Sequence, residues 1–188
     1  ASDAGSPALS TSVNVNITIG DLNDNVPAFT DAGYAMSILE NATTSTVVDS
    51  VEATDGDLTS PNKGVRFSIV GGNSADKFAV SSLTGAIWVK GALDRESVGL
   101  YSRAVEVQDQ GTPALSSTVV VNVTILDVND NAPVFDEASY STSVYESDPV
   151  GTLLLTFTST DADIVGSVPS YSIVSGAAGA FVVDLSTG

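Results

Sequence analysis

The chain has 188 residues, with 23 Asp and Glu against six Lys and Arg and a formal charge of −17. A field this negative leaves few cations to meet nucleic-acid phosphates or an anionic membrane face. Cys and His are absent, which removes thiol and imidazole catalysis, disulfides and the standard zinc sites, so any metal must be held by oxygen, as calcium or magnesium is.

In chain order, Val13, Val15, Ile17 and Ile19 come first, alternating with polar residues; a period of two predicts a strand with one buried face. Strands are then predicted over 34–39, 46–53, 65–70, 78–80, 86–89, 101–107 and 118–125, punctuated by Gly, Pro, Asn and Asp. In the last of these, Val119, Val121, Val123 and Ile125 repeat the opening alternation. Trp88 lies between Ile87 and Val89, and alternation sends it outward if those two are core. No stretch has a 3.6-residue apolar period or 18 consecutive apolar residues, so neither a helix nor a membrane span is expected. The expected fold is all-β, a seven-stranded Greek-key β-sandwich.

An internal repeat divides the chain. Asp3 matches Asp109, Asp21 matches Asp127, Phe29 matches Phe135 and Glu40 matches Glu146, and each pair is 106 positions apart. Asp55 and Asp57 match Asp161 and Asp163 at the same offset. One repeat fits one compact module. The chain is therefore expected to hold a last-strand remnant (1–25), a complete module (26–131) and the first part of a third (132–188), as a fragment of something larger.

The acids gather where modules should meet. Glu40 ends the first strand of the complete copy, Asp94 and Glu96 lie in LDRE, Asp127 and Asp130 lie in the linker DVNDN, and TDAD supplies Asp161 and Asp163. The one-residue spacings let each pair face one pocket. Two carboxylates about 5 Å apart at an effective dielectric of 20 repel by roughly 3 kcal/mol, so seven cannot stay ionised together without cations. Calcium, which takes six to eight oxygens in flexible geometry, suits a dispersed carboxylate set better than magnesium does. The pattern recurs upstream with Asp21, Asp24 and Asn25 in the linker, Asp55 and Asp57 in TDGD, and Asp109 in VQDQG.

These motifs together resemble the extracellular cadherin repeat: DLNDNVPAF and DVNDNAPVF, LDRE, ATDGD and STDAD, and VQDQGTPALSS, in order along the whole chain. The resemblance implies sandwiches joined end to end with three calcium ions at each full junction. It assigns two ions downstream to Glu40, Asp94, Glu96, Asp127 and Asp130, helped by Asp163 and the Val128 carbonyl. It assigns the third to Asn131, Asp161, Asp163 and the Asn129 carbonyl, one ligand short because the remainder of the third module would supply it. Upstream, the third ion falls to Asn25, Asp55, Asp57 and Asp109 with the carbonyls of Asn23 and Asn62. Arg95 is expected to point away from the metal, toward nearby acids or solvent.

The implied function is calcium-dependent stiffening of a cell-surface adhesion protein, homophilic or heterophilic, in the ectodomain of a single-pass plasma-membrane protein. Its partners would be other cadherin-like modules in cis or trans, with no nucleic acid and no direct membrane contact. The alternative is a calcium-stiffened spacer stalk of a secreted adhesin or matrix protein. Paired carboxylates also serve glycoside hydrolysis, but here they lie in repeated interdomain loops with no aromatic-lined cleft expected, so no enzyme is predicted. Asn16, Asn41 and Asn122 each begin an Asn-X-Thr sequon.

Overall fold

The computed structural model describes residues 1–72, 76–176 and 179–186. Its strands in order are β1 (Ala28–Phe29), β2 (Tyr34–Leu39), β3 (Val47–Ser50), β4 (Ala53–Thr54), β5 (Arg66–Gly72) and β6 (Phe78–Val80). They continue with β7 (Ala86–Val89), β8 (Leu100–Gln108), β9 (Ser116–Leu126), β10 (Val134–Phe135) and β11 (Ser159–Thr160). No helix occurs among the described residues.

A four-stranded sheet, ordered β2-β9-β8-β5, and a three-stranded sheet, ordered β3-β7-β6, form the sandwich. The predicted alternation places its core. Val119, Val121, Val123 and Ile125 of β9 are buried, as are Tyr101, Val105 and Val107 of β8. Ile87 and Val89 of β7 close the core from the other sheet, with Trp88 half-buried on the outer side. Phe78 meets Tyr101 edge to face, with ring centroids 5.3 Å apart. Arg103 is buried at a core-facing position of β8 and lies over the Tyr101 ring, an arrangement that the hydrophobic pattern did not disclose.

Two expectations are corrected. The span 46–53 is not one strand: β3 pairs with β7 and β4 pairs with β1, and fully buried Val51 lies between them. There Val51 donates its N–H to the Gly85 carbonyl (3.0 Å). Gly85 has φ +70°, and a Cβ on it would stand 2.1 Å from the Val51 carbonyl oxygen. Gly85→Ala is therefore expected to cost about 1–3 kcal/mol, read as a lower urea midpoint with an unchanged slope.

The second correction is the N-terminal alternation. Val13, Val15, Ile17 and Ile19 are exposed and form no strand. The same pattern in β9 is held between β2 and β8, whereas none of the described strands pairs with residues 11–20. A period of two supplies an apolar face, but strand pairing needs a neighbouring edge.

The repeat is visible in the hydrogen-bond register. β1 pairs with β4 as Ala28↔Thr54 and Phe29↔Ala53, and β10 pairs with β11 as Val134↔Thr160 and Phe135↔Ser159. All four positions are displaced by 106 residues. After β10 the chain gathers Phe135, Tyr140, Phe157 and Tyr171 into one aromatic cluster.

Candidate metal centre

At the junction that follows β9, Glu40 leaves β2 and turns inward, 5% exposed. Its carboxylate accepts the N–H groups of Arg95 (2.6 Å) and Val128 (2.8 Å), tying the LDRE loop and the linker to the end of β2. Carboxylate oxygens of Glu40, Asp94 and Glu96 lie within 4.8 Å of one another. A second group, Glu96, Asp130 and Asp163, meets the same limit. It draws one acid from the LDRE loop, one from the linker and one from the following copy.

The linker docks onto the next copy through main-chain donors. Asp127 Oδ2 accepts from the N–H groups of Ile164 (2.8 Å) and Val165. Asn131 donates its side-chain amide to Asp163 (2.7 Å) and to Asp130 (3.0 Å), while Asp161 accepts the Asp163 N–H (2.9 Å). Upstream the contacts recur. Asp21 accepts from the N–H groups of Leu58 (3.3 Å) and Thr59 (3.0 Å). Asn25 donates to Asp57 (2.6 Å) and Asp24 (2.9 Å), and Asp55 accepts the Asp57 N–H (2.8 Å).

Asp55, Asp57 and Asp109 form the third close group. Asp57 and Asp109 are buried, and Oδ2 of both Asp55 and Asp57 is shut off from solvent without a hydrogen-bond partner. Buried anionic oxygens left unpaired are costly, and an all-oxygen set of this kind suits a hard divalent cation. Asp109 is fixed by the N–H groups of Gly111 and Leu115, both at 3.0 Å. Asn23 enters with its side chain, donating to Asp109 (3.1 Å) and to the Pro113 carbonyl (2.7 Å). The Asn62 amide likewise donates to Asp21 (3.2 Å). The Asn129 side chain lies against Gly166, where an added Cβ would approach its amide nitrogen to 2.8 Å.

Asp21, Asp24, Asp127 and Asp161 stand beside the three close groups rather than within them. Arg95 meets the nearby acids, as expected, but departs from expectation in pointing toward the candidate metal groups rather than away from them. Its guanidinium turns into the junction, pairing with Asp127 and Glu96 and donating to the Ala162 carbonyl (2.7 Å). The acidic surroundings were legible in the sequence, but the side chain's direction was not.

Charge crowding sorts the acids. Desolvation, then repulsion from Glu40, Asp163, Asp94 and Asp127, raises the Asp130 carboxyl above its ordinary value. Desolvation raises Glu96 as well. The Ser97 hydroxyl and N–H lower Asp94. At Asp127 burial opposes the charge, but the Val165 N–H and the Arg95 guanidinium prevail and lower it. Because the folded state holds the Asp130 proton more tightly, its contribution to ion-free stability is lost as pH rises from 3.8 through the raised value. Melting in chelator at stepped pH should show that decline, and Asp130→Asn should flatten it.

The chain matches the cadherin domain family over residues 34–126. The chain belongs to the cadherin family. Human protocadherin Fat 1 is 38% identical over 178 residues, covering 94% of this chain and 4% of that protein. Mouse cadherin EGF LAG seven-pass G-type receptor 3 is 40% identical over 177 residues, 94% of this chain and 5% of that protein. The solved structure of mouse cadherin-23 EC22-24 superposes with a TM-score of 0.84 at 35% identity, covering all of this cadherin chain and 60% of that one. This cadherin segment thus spans about a twentieth of the curated relatives it matches. Its family is one of adhesion proteins, and the segment is not an enzyme.

Proposed function

We propose that this cadherin segment binds calcium at the ends of its modules and thereby fixes the angle between them, as part of an extracellular rod in an adhesion protein. The observation that carries this reading is the group Glu96, Asp130 and Asp163, whose oxygens converge from one module, the linker and the next module. The unpartnered oxygens of Asp55 and Asp57 support the same chemistry upstream.

A calcium ion bound there supplies positive charge and a shell that takes six to eight oxygens. Glu40, Asp94, Glu96, Asp127, Asp130 and Asp163 would hold two ions downstream with the Val128 carbonyl. Asn131, Asp161, Asp163 and the Asn129 carbonyl would take the third. Upstream, Asp21 and Asp24 serve the linker, while Asn25, Asp55, Asp57, Asp109 and the carbonyls of Asn23 and Asn62 enclose an ion. Backbone docking by Asp21 and Asp127 brings the acid-bearing loops into register, so ions are required to neutralise and lock rather than to assemble.

Extracellular placement in a membrane-anchored protein, with other cadherin modules as partners, follows by extension from relatives whose names include a seven-pass receptor. Calorimetric titration of calcium into the chelator-stripped chain is expected to show dissociation constants of about 10⁻⁴–10⁻³ M. Asp163→Ala should remove the downstream sites. A titration with no heat and no change in melting would overturn the reading.

A further inference from the structure

Among the acids at the downstream junction stands one cation, Arg95. Its side chain is 15% exposed, against 21% for Glu96 and 7% for Asp127. One guanidinium therefore joins three parts of the chain: the loop through Glu96, the linker through Asp127 and the following module through the Ala162 carbonyl. Both Asp127 oxygens are engaged, Oδ1 by Arg95 and Oδ2 by the N–H groups of Ile164 and Val165.

The backbone docking recurs at the upstream junction. Asp21 makes the equivalent contacts to the N–H groups of Leu58 and Thr59, and its remaining partners are the Thr59 hydroxyl and the Asn62 amide, both neutral. At the downstream junction Arg95 adds positive charge placed among carboxylates.

We propose that Arg95 is a tethered counterion that competes with calcium for Asp127 and Glu96, holding the junction together when ions are scarce and setting the concentration at which they enter. The inference rests on the calcium reading above: the guanidinium and an ion would draw on the negative charge of the same two carboxylates and repel each other across them. It predicts opposite effects in the two conditions. Loss of the guanidinium should loosen the ion-free junction and strengthen calcium binding. A purely structural arginine would weaken both.

The test uses the whole chain, which has no cysteine of its own, with spin labels on Leu83→Cys and Tyr145→Cys, exposed positions on either side of the junction. Arg95→Met should lower the half-saturating calcium concentration read from the label distance by roughly three- to tenfold, the scale for removing two competing, partly screened ion pairs. In chelator its distance distribution should be broader than that of the unaltered chain. Arg95→Lys should fall between the two, because an ammonium lacks the planar fork that bridges several acceptors. Arg95→Gln, which keeps hydrogen-bonding capacity without charge, repeats the measurement if the methionine variant does not fold. Unchanged or weaker calcium affinity in a folded neutral variant overturns the competitor role while leaving the calcium reading intact. A labelled chain with arginine in place that takes up no calcium overturns both.

Discussion

Chelating calcium is expected to lower the melting temperature of the chain by more than about 10 °C and to broaden the distance between labels across the linker. Each site with a dissociation constant of about 10⁻⁴–10⁻³ M contributes about 1.4–2.7 kcal/mol at about 10 mM calcium. Two such sites, on a module where about 1 kcal/mol shifts melting by roughly 4–8 °C, reach that figure. The shape change has a structural origin. Glu96 belongs to the LDRE loop, Asp130 to the linker and Asp163 to the following copy, so on the proposed reading a cation shared by the three would restrain the angle between modules. Calorimetry and paired-label distances in calcium and in chelator check both parts, and an unchanged distance distribution would remove the stiffening claim.

Asp57→Asn is expected to reverse sign with conditions. Asp57 is 2% exposed, close to Asp55 and Asp109, and has one oxygen without a hydrogen-bond partner. Without ions its charge repels two neighbours, each pair on the scale of about 3 kcal/mol at an effective dielectric of 20. An asparagine relieves that repulsion and can still accept the Asn25 amide through its oxygen. The variant should therefore melt higher in chelator, by about 1–2 kcal/mol once relaxation of the neighbouring acids is included. In calcium it should melt lower, having lost the charge that draws an ion. The order of the two melting temperatures should reverse between the two conditions, and a variant less stable in each would overturn the repulsion argument.

The complete copy was largely legible from alternation alone. β2, β6 and β7 run over the expected residues, and β8 and β9 extend them by one or two at each end. Alternation succeeds there because each strand has one wet and one buried face, as the inward Ile87 and Val89 and the half-buried Trp88 illustrate. It failed at Val51, a fully buried residue between β3, which pairs with β7, and β4, which pairs with β1. It failed again at Val13 to Ile19, where the pattern is as clear as in β9 but no described strand lies alongside.

The candidate site divides in the same way. That eight of the predicted acids come together in three close groups was readable, because acids repeated at one offset beside matching turns point to a shared geometry. The roles of individual atoms were not. Asp21 and Asp127 use backbone N–H groups of the following loops, and Asn23 and Asn62 bring their side-chain amides to Asp109 and Asp21. Such contacts depend on rotamer and approach angle, which residue type and spacing leave free.

The amino-acid order by itself determined the sandwich, the 106-residue repeat and the gathering of carboxylates into close groups, since each follows from side-chain period and charge. Only the folded arrangement decided which apolar stripes found a partner, that Arg103 lies in the core, and that Arg95 turns inward to Asp127 and Glu96. Period and charge state what a segment can offer. Whether the offer is met depends on which edges and opposite charges the rest of the chain brings within a few ångströms.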